Sequence, residues 1–329
     1  MAILVTGGAG YIGSHTVIEL LNKGEDVVVL DNLEKGHAAA VTGGKFIKAD
    51  LRDKESLKNI FKENDIEAVI HFAGYIEAGE SMGEPLKFYG NNFVLSMNLL
   101  SQMREAGVDK IIFSSTAAVY GEPNKVPIKE DDAALPVNPY GETKLAVEKM
   151  LKWCDNAYGT KYIALRYFNA AGAHKSGKIG EDHDPETHLI PIVLQAAQGQ
   201  RKEVYVFGDN YNTPDGSCVR DYVHVSDLAN AHILALERLR QGGQSTVYNV
   251  GNGNGFSVKE VISAASEVTG VKIKQVVTKR RPGDPAVLIA SSNKIRQELN
   301  WKPQMFKLKD IISTAWSWHK KHPDGFDNK

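Results

Sequence analysis

The opening of the chain constrains its fold more than any other stretch. Ile3-Leu4-Val5-Thr6 is a short apolar run that stops at Gly7-Gly8-Ala9-Gly10-Tyr11-Ile12-Gly13, and Val17 to Leu21 then carry helical periodicity toward a C-cap at Gly24. A strand, a glycine-rich turn and a helix in that order begin a dinucleotide-binding βαβ unit. Gly7, Gly10 and Gly13 fall at G-x-x-G-x-x-G spacing. Gly7 permits the tight turn, Gly10 lets backbone amides approach a pyrophosphate, and Gly13 allows helix and strand to pack closely. The anion would sit at the positive end of the helix. A glycine pattern alone says little; its place between a strand and a helix gives it weight.

The alternation continues. Val27 to Leu30 reads as a second buried strand with Asp31 at its end. An acid about 20 residues beyond the glycines accepts hydrogen bonds from adenosine ribose hydroxyls and repels a 2′-phosphate, so Asp31 favours NAD over NADP. The plainer reading is a solvated strand-end acid. Lys45 to Leu51 reads as a third strand, with Asp50 placed for the adenine amine and Leu51 for the ring face. Ala68 to Gly74 reads as a fourth, its small end leaving room for a phosphate, and His71 within it as a satisfied core histidine. Pro85 to Arg104 reads as one long helix whose apolar face is broken at Asn91-Asn92, with Asn91 within reach of the cofactor. Lys110 to Phe113 and Tyr162 to Phe168 are the fifth and sixth strands.

Strands and helices alternating from residue 3 to about 170 predict an α/β fold, a Rossmann-type doubly wound parallel sheet with helices on both faces. After Asn169-Ala170-Ala171-Gly172-Ala173 the chain becomes loop-rich through 188. We therefore divide it into 1–172, a dinucleotide domain, and 173–329, a smaller α/β substrate domain, with a segment near 223–250 returning to the first. A strand over Val219–Val225 is expected, with Ser226 and Asp227 as helix N-cap signals. The tail from His319 to Lys329 reads as polar and loose.

A formal net charge of −1 gives no bias toward nucleic acid or a membrane surface. No run approaches about 18 apolar residues, so no membrane span is expected, and the N-terminus lacks the basic start of a signal sequence. Two cysteines, Cys154 and Cys218, far apart in sequence, suit a reducing cytoplasm better than a disulfide scaffold or zinc site. His174, His183, Asp184 and His188 invite a metal reading, but their spacing matches no ligand motif; a polar, ligand-facing loop and no metal are expected.

The chemistry is carried by Tyr140-Gly141-Glu142-Thr143-Lys144. On a helix, positions i and i+4 share a face. A free phenol has a pKa of about 10, so about one in a thousand is ionised at pH 7. Bringing it near neutrality needs about 4 kcal/mol, which Lys144 and an oxidised nicotinamide ring together can supply. Tyr140 is thus a candidate general base for an alcohol proton; the alternative is a surface helix where the two residues meet by chance. Ser114-Ser115-Thr116 follows the fifth strand, where doubly wound sheets bind ligands, and Thr116 is chosen to hold the reacting oxygen. Otherwise these hydroxyls only form a turn.

Thr-Gly-Gly-Ala-Gly-Tyr-Ile-Gly-Ser at 6–14, Phe-Ser-Ser-Thr at 113–116, Tyr140 with Lys144, Arg-Tyr-Phe-Asn at 166–169 and Arg-Asp-Tyr-Val-His-Val at 220–225 resemble the extended short-chain dehydrogenase/reductases. Within that family the chain is most similar to the bacterial UDP-sugar 4-epimerases, from Met1 to about Gly325, including Gly180-Glu181-Asp182 and Trp316 to Pro323. The resemblance implies tightly bound NAD and a UDP-sugar in the cleft between domains, interconversion of UDP-glucose and UDP-galactose in galactose metabolism, and a cytoplasmic homodimer. For NAD it implies Gly7, Gly10, Tyr11, Ile12, Gly13, Asp31, Asn32, Asp50, Leu51, Phe72, Ala73, Gly74, Asn91, Tyr140, Lys144 and Phe168. For the sugar nucleotide it implies Thr116, Tyr140, Asn169, Leu189, Phe207, Arg220, Arg281, Asp284 and Leu288. Arg220 and Arg281 suit a diphosphate dianion, and Phe207 could pack on uracil; ordinary surface pairing is the alternative. The dimer would form through the helices near 86–105 and 140–157.

Three positions depart from the family pattern. Thr116 stands where Ser is common, Ile76 where some members place a phosphate-binding Lys, and Leu288 at the gate that admits or excludes N-acetylated sugars. The related dehydratases follow the Thr with Asp-Glu; here Ala117-Ala118 can supply no acid, which favours epimerisation. A dehydrogenase that releases NADH is a further rival. A non-catalytic NAD-binding scaffold would be expected to have lost Tyr140, Lys144 or Thr116, and all three are present.

Overall fold

Side-chain alternation along β1 (Ala2–Thr6) decides how the main sheet is covered. Ile3 and Val5 enter one buried core and Leu4 the other, as a period of two requires. The computed structural model describes residues 1–281 and 284–326. After β1 come α1 (Tyr11–Asn22), β2 (Val27–Asp31), β3 (Lys45–Lys48), α2 (Lys54–Glu63) and β4 (Ile66–His71). Short helices α3 (Ala78–Ser81) and α4 (Pro85–Phe88) precede α5 (Leu95–Ala106), β5 (Lys110–Thr116), α6 (Pro139–Tyr158) and β6 (Lys161–Tyr167). The rest is β7 (Asn169–Ala171), α7 (Leu189–Ala197), β8 (Val204–Phe207), β9 (Val219–His224), α8 (Val225–Arg240), β10 (Thr246–Val250), β11 (Gly255–Ser257), α9 (Val258–Thr269), β12 (Gln275–Thr278), β13 (Val287–Leu288), α10 (Asn293–Leu299) and α11 (Leu308–Lys321).

Seven strands pair in parallel in the order β10-β6-β5-β4-β1-β2-β3. Val17 and Leu20 of α1 pack with Leu228, Ala231 and Leu236 of α8 on one face. Leu57 of α2, Leu99 and Met103 of α5, and Val147 and Leu151 of α6 cover the other. Burial on both faces explains the Val, Ile and Leu runs. Winding reverses between β1 and β4, and a crevice opens there at the strands' C-terminal ends. In the second half, β11-β9-β13 with β7 on β9 form a four-stranded sheet, and β8 pairs with β12. Their core comes from α7, α9 and α11 through Val193, Leu194, Val261, Ile262, Ile311 and Ile312. α8 and β10 return to the large sheet.

The doubly wound parallel sheet is as expected, and several boundaries differ. The third strand stops at Lys48, because Asp50 accepts from its neighbour Arg52's amide at 2.8 Å and turns the chain. The fourth ends at His71, where the amides of Phe72 and Ala73 both donate to Thr6 O and curl over β1. The fifth runs on through Thr116. The single helix expected over 85–104 is three pieces, with Tyr89–Val94 π-helical; Asn92 there bonds the backbone of Tyr75 and the hydroxyl of Thr143. π-turns of this kind cluster at functional sites.

Neither Ser226 nor Asp227 caps α8. His224 does, accepting from Ser226 N, while Asp227's carboxylate receives the amides of Gln304 and Met305. The tail is not loose as far as Phe326: α11 continues to Lys321, and Phe326 is buried against Trp318 with its amide donating to Asp182. Gly283 and residues 327–329 lie outside the described residues. No helix among the described residues is long and apolar enough to cross a membrane.

Candidate active site

A cleft of about 380 Å³ opens at the C-terminal ends of β1, β2, β4, β5 and β6. Its first wall is the glycine turn. Gly7 has a φ of +71°, and a Cβ on Gly13 would lie 2.2 Å from Gly7 O, so both are required by backbone packing. A Cβ on Gly10 would meet only Gly7 O, at 3.3 Å, so its missing side chain serves the cleft. Gly10 caps α1 with no side-chain acceptor on the first amides, which leaves those N–H groups to an anion. This cradle fits a dinucleotide pyrophosphate.

Asp31 ends β2, its carboxylate accepting from Ala9 N at 3.0 Å and Leu33 N at 2.9 Å, with lone pairs left for ribose hydroxyls. Asn32 donates to Asp50 at 2.8 Å, and the Arg52 guanidinium holds the Asp50 carboxyl well below the usual range. Tyr11, Ile12, Leu51, Phe72, Ala73, Gly74, Asn91 and Phe168 complete the lining expected for NAD. His71 is neutral, pushed down to about 3 by burial and by Lys144. Its Nε2 reaches Ser96, whose hydroxyl already donates to Asn92 O, so Nε2 carries the proton and Nδ1 accepts from Thr6.

Tyr140 and Thr116 face the same cleft. Asn138 caps α6 through Gly141 N at 2.8 Å, with Pro139 in the first turn. Ser81 accepts from Tyr140 N. A buried fork, Arg166 on Glu148, ties α6 to β6 at 2.5 and 2.9 Å. Burial pushes the Tyr140 phenol up to about 12, against the pull of Thr116's hydroxyl. The downward shift expected from Lys144 is not seen, because that ammonium is turned to Ser114 O at 2.9 Å. Burial lowers Lys144 to about 8.

On the sugar side the structure brings Asn169 and Leu189 to the cleft with Thr116 and Tyr140. Phe207, Arg220, Arg281, Asp284 and Leu288 do not line it and form a cluster elsewhere on the small sheets. Arg220 is ion-paired with Asp284 and sits in register with Leu288, and the Arg281 guanidinium lies 3.8 Å from the Phe207 ring centre.

Sequence reasoning missed several wall residues. Tyr75 donates to Glu34. Lys35 reaches Glu77 at 3.5 Å and Asp184 O at 3.1 Å, and brings a cation to the wall where Ile76 brings none. His183, Asp184 and His188 line it as the ligand-facing reading of their loop expects, and Glu181 joins them. Tyr75, Lys35 and Glu77 come from loops without a spacing signal, whereas Asn91, expected near the cofactor from the polar break in an apolar helical face, lines the cleft.

The model of the NAD dependent epimerase/dehydratase family matches residues 3–251. A UDP-glucose 4-epimerase from Halalkalibacterium halodurans is 58% identical over 329 residues, covering 100% of this chain and 98% of the relative. A crystal structure of a UDP-glucose 4-epimerase is 54% identical, with a TM-score of 0.98 and full coverage of both chains. The UDP-glucose 4-epimerase of Bifidobacterium longum, solved with NAD+ and UDP, is 41% identical with a TM-score of 0.94, covering 99% of this chain and 100% of that one. The glycine cradle, the Asp31 strand end and these likenesses agree, and the chain belongs to the NAD dependent epimerase/dehydratase family.

Proposed function

We propose that this chain interconverts UDP-glucose and UDP-galactose by transient oxidation at C4, with NAD retained through the cycle. The observation that carries the reading is Tyr140 and Thr116 on one cleft with the glycine cradle. Tyr140 takes the proton of the sugar 4-hydroxyl, and Thr116 holds that oxygen by a hydrogen bond. NAD, which the Gly7–Gly13 turn and Asp31 would hold, would supply the reversible hydride exchange at C4. Tyr140 then gives its proton back, so no net oxidant is consumed. With burial holding the phenol near 12, its anion depends on nearby positive charge: Lys144, which we assign to the nicotinamide ribose hydroxyls, and the oxidised ring. Ala117 and Ala118 offer no acid for dehydration.

Arg220 and Arg281 are assigned to the diphosphate, Phe207 to uracil, Asn169, Leu189 and Asp284 to positioning the nucleotide sugar, and Leu288 to the N-acetyl gate. The dinucleotide half is read as 1–172 with 223–250, and the substrate half as 173–329. A cytoplasmic role in galactose metabolism follows from the same reading. A homodimer is supported by apolar residues left exposed on two neighbouring helical segments, Leu86 and Met97 on 85–106 and Trp153, 72% exposed, on α6; light scattering after gel filtration tests it.

The deciding assay gives purified protein UDP-galactose without added NAD or reductant, beside UDP-GalNAc. UDP-glucose in many-fold excess over enzyme is expected. Stoichiometric release of NADH would instead favour a dehydrogenase.

A further inference from the structure

Four side chains that the proposed chemistry does not use converge on one spot at the cleft. Glu181, His183, Glu186 and His188 each offer one ligand atom, and these atoms lie within 4.8 Å of one another. Glu181 is 4% exposed. Its Oε1 stands 2.5 Å from His188 Nδ1 and 3.5 Å from His183 Nδ1. The Glu186 carboxylate is 3.7 Å from His183 Nδ1 and 3.9 Å from His188 Nδ1. The 3.5 Å and 3.7 Å separations about His183 Nδ1 are close to the edge of a tetrahedron of N and O ligands, about 3.3 Å for bonds of about 2.0–2.1 Å to zinc.

A second observation points to an ion. His183 Nδ1 is buried with no hydrogen-bond partner among the described residues, although two carboxylates face it. A knot held by hydrogen bonds alone would turn that nitrogen toward one of them. Without metal the facing carboxylates outweigh burial and push His183 up to about 10 and His188 up as well; zinc would displace those protons, and the set of two imidazoles and two carboxylates then carries −2, which a divalent cation cancels and whose mixed N,O donors suit zinc. The Glu186 carboxylate is already oriented by the amides of Thr187 and His188, both at 2.8 Å, as outer-sphere bonds orient metal ligands. The set differs from the His174, His183, Asp184 and His188 grouping weighed from sequence.

We propose that Glu181, His183, Glu186 and His188 bind one zinc ion. It fastens the 181–188 loop to the start of α7, and so fixes the wall that presents Leu189. The residues act by positioning and take no part in proton or hydride transfer.

The test uses the intact chain, purified without an affinity tag, stripped with EDTA and exposed to ZnCl₂ at micromolar free concentration. One zinc per chain should survive gel filtration, the melting temperature should rise on addition, and zinc-edge X-ray absorption should show an N/O shell at about 2.0 Å without sulfur. His183→Ala with His188→Ala should abolish retention, and the milder His188→Gln should weaken it at least tenfold. Retention below a tenth of an equivalent by wild type overturns the proposal. So does a sulfur shell at about 2.3 Å, which would indicate a cysteine site, or unchanged zinc in the folded His188→Gln variant. The readout is metal, so it stands apart from the epimerase assay.

Discussion

The dinucleotide cleft and the separate cluster assigned to the nucleotide sugar are held by different forces. On the sheet side, the glycine turn and the ends of β1, β2 and β4 are fixed by backbone ladders and by amides that close on Thr6 O and Asp31. The cluster we assign to the nucleotide is held by side chains: Arg220 against Asp284, Arg281 over Phe207. Backbone that must keep its hydrogen bonds cannot easily rearrange, whereas a charge pair can exchange one anion for another. A site of the first kind suits a cofactor kept from turnover to turnover, and one of the second kind suits a ligand that comes and goes.

The sharpest test sits in the cleft itself. Tyr140→Phe should lower kcat by roughly 10²–10⁴-fold while the purified protein keeps its NAD, measured after denaturation. Next, Gly13→Ala should lose about 1–3 kcal/mol of stability in a denaturant melt together with its NAD, because the new Cβ meets Gly7 O. Gly10→Ala should melt near wild type and lose NAD only. Arg220→Ala should raise KM for the UDP-sugar, about 1.5–3 kcal/mol for a charged hydrogen bond, and leave NAD content alone. If it emptied the cofactor site, the two sites would not be separable.

Smaller effects concern charge and fit. Lys144 is held near 8, below an ordinary lysine, so its ammonium is lost as pH rises through that value. The kcat profile should therefore fall above pH of about 8, and Lys144→Met, slow at every pH, should lack that limb. Leu288→Tyr should reduce turnover of UDP-GalNAc relative to UDP-galactose, with little change in the latter.

What could be read beforehand follows the same division. Gly7, Asp31 and Thr116 are legible because local spacing puts each at the end of a strand in a sheet whose topology is nearly forced. Lys35 and Glu77 are not, since loops far apart in sequence bring them together. Asp227 misled because its acid looks like a cap, yet its partners are Gln304 and Met305, more than seventy residues away. The Tyr140–Lys144 spacing was read correctly as a shared helix, but the direction in which the lysine points depends on Ser114 O, which no spacing reveals.

The path of the chain carries a last consequence. It leaves the large sheet after β6, comes back with α8 and β10, departs through β11 and α9, and touches the first core once more through Ile295 and Leu299 of α10. The halves are interlaced at several seams. A protease cut in the 172–188 loop should therefore leave fragments that still migrate together on a native gel, and neither half can be lifted out as a transplantable cassette.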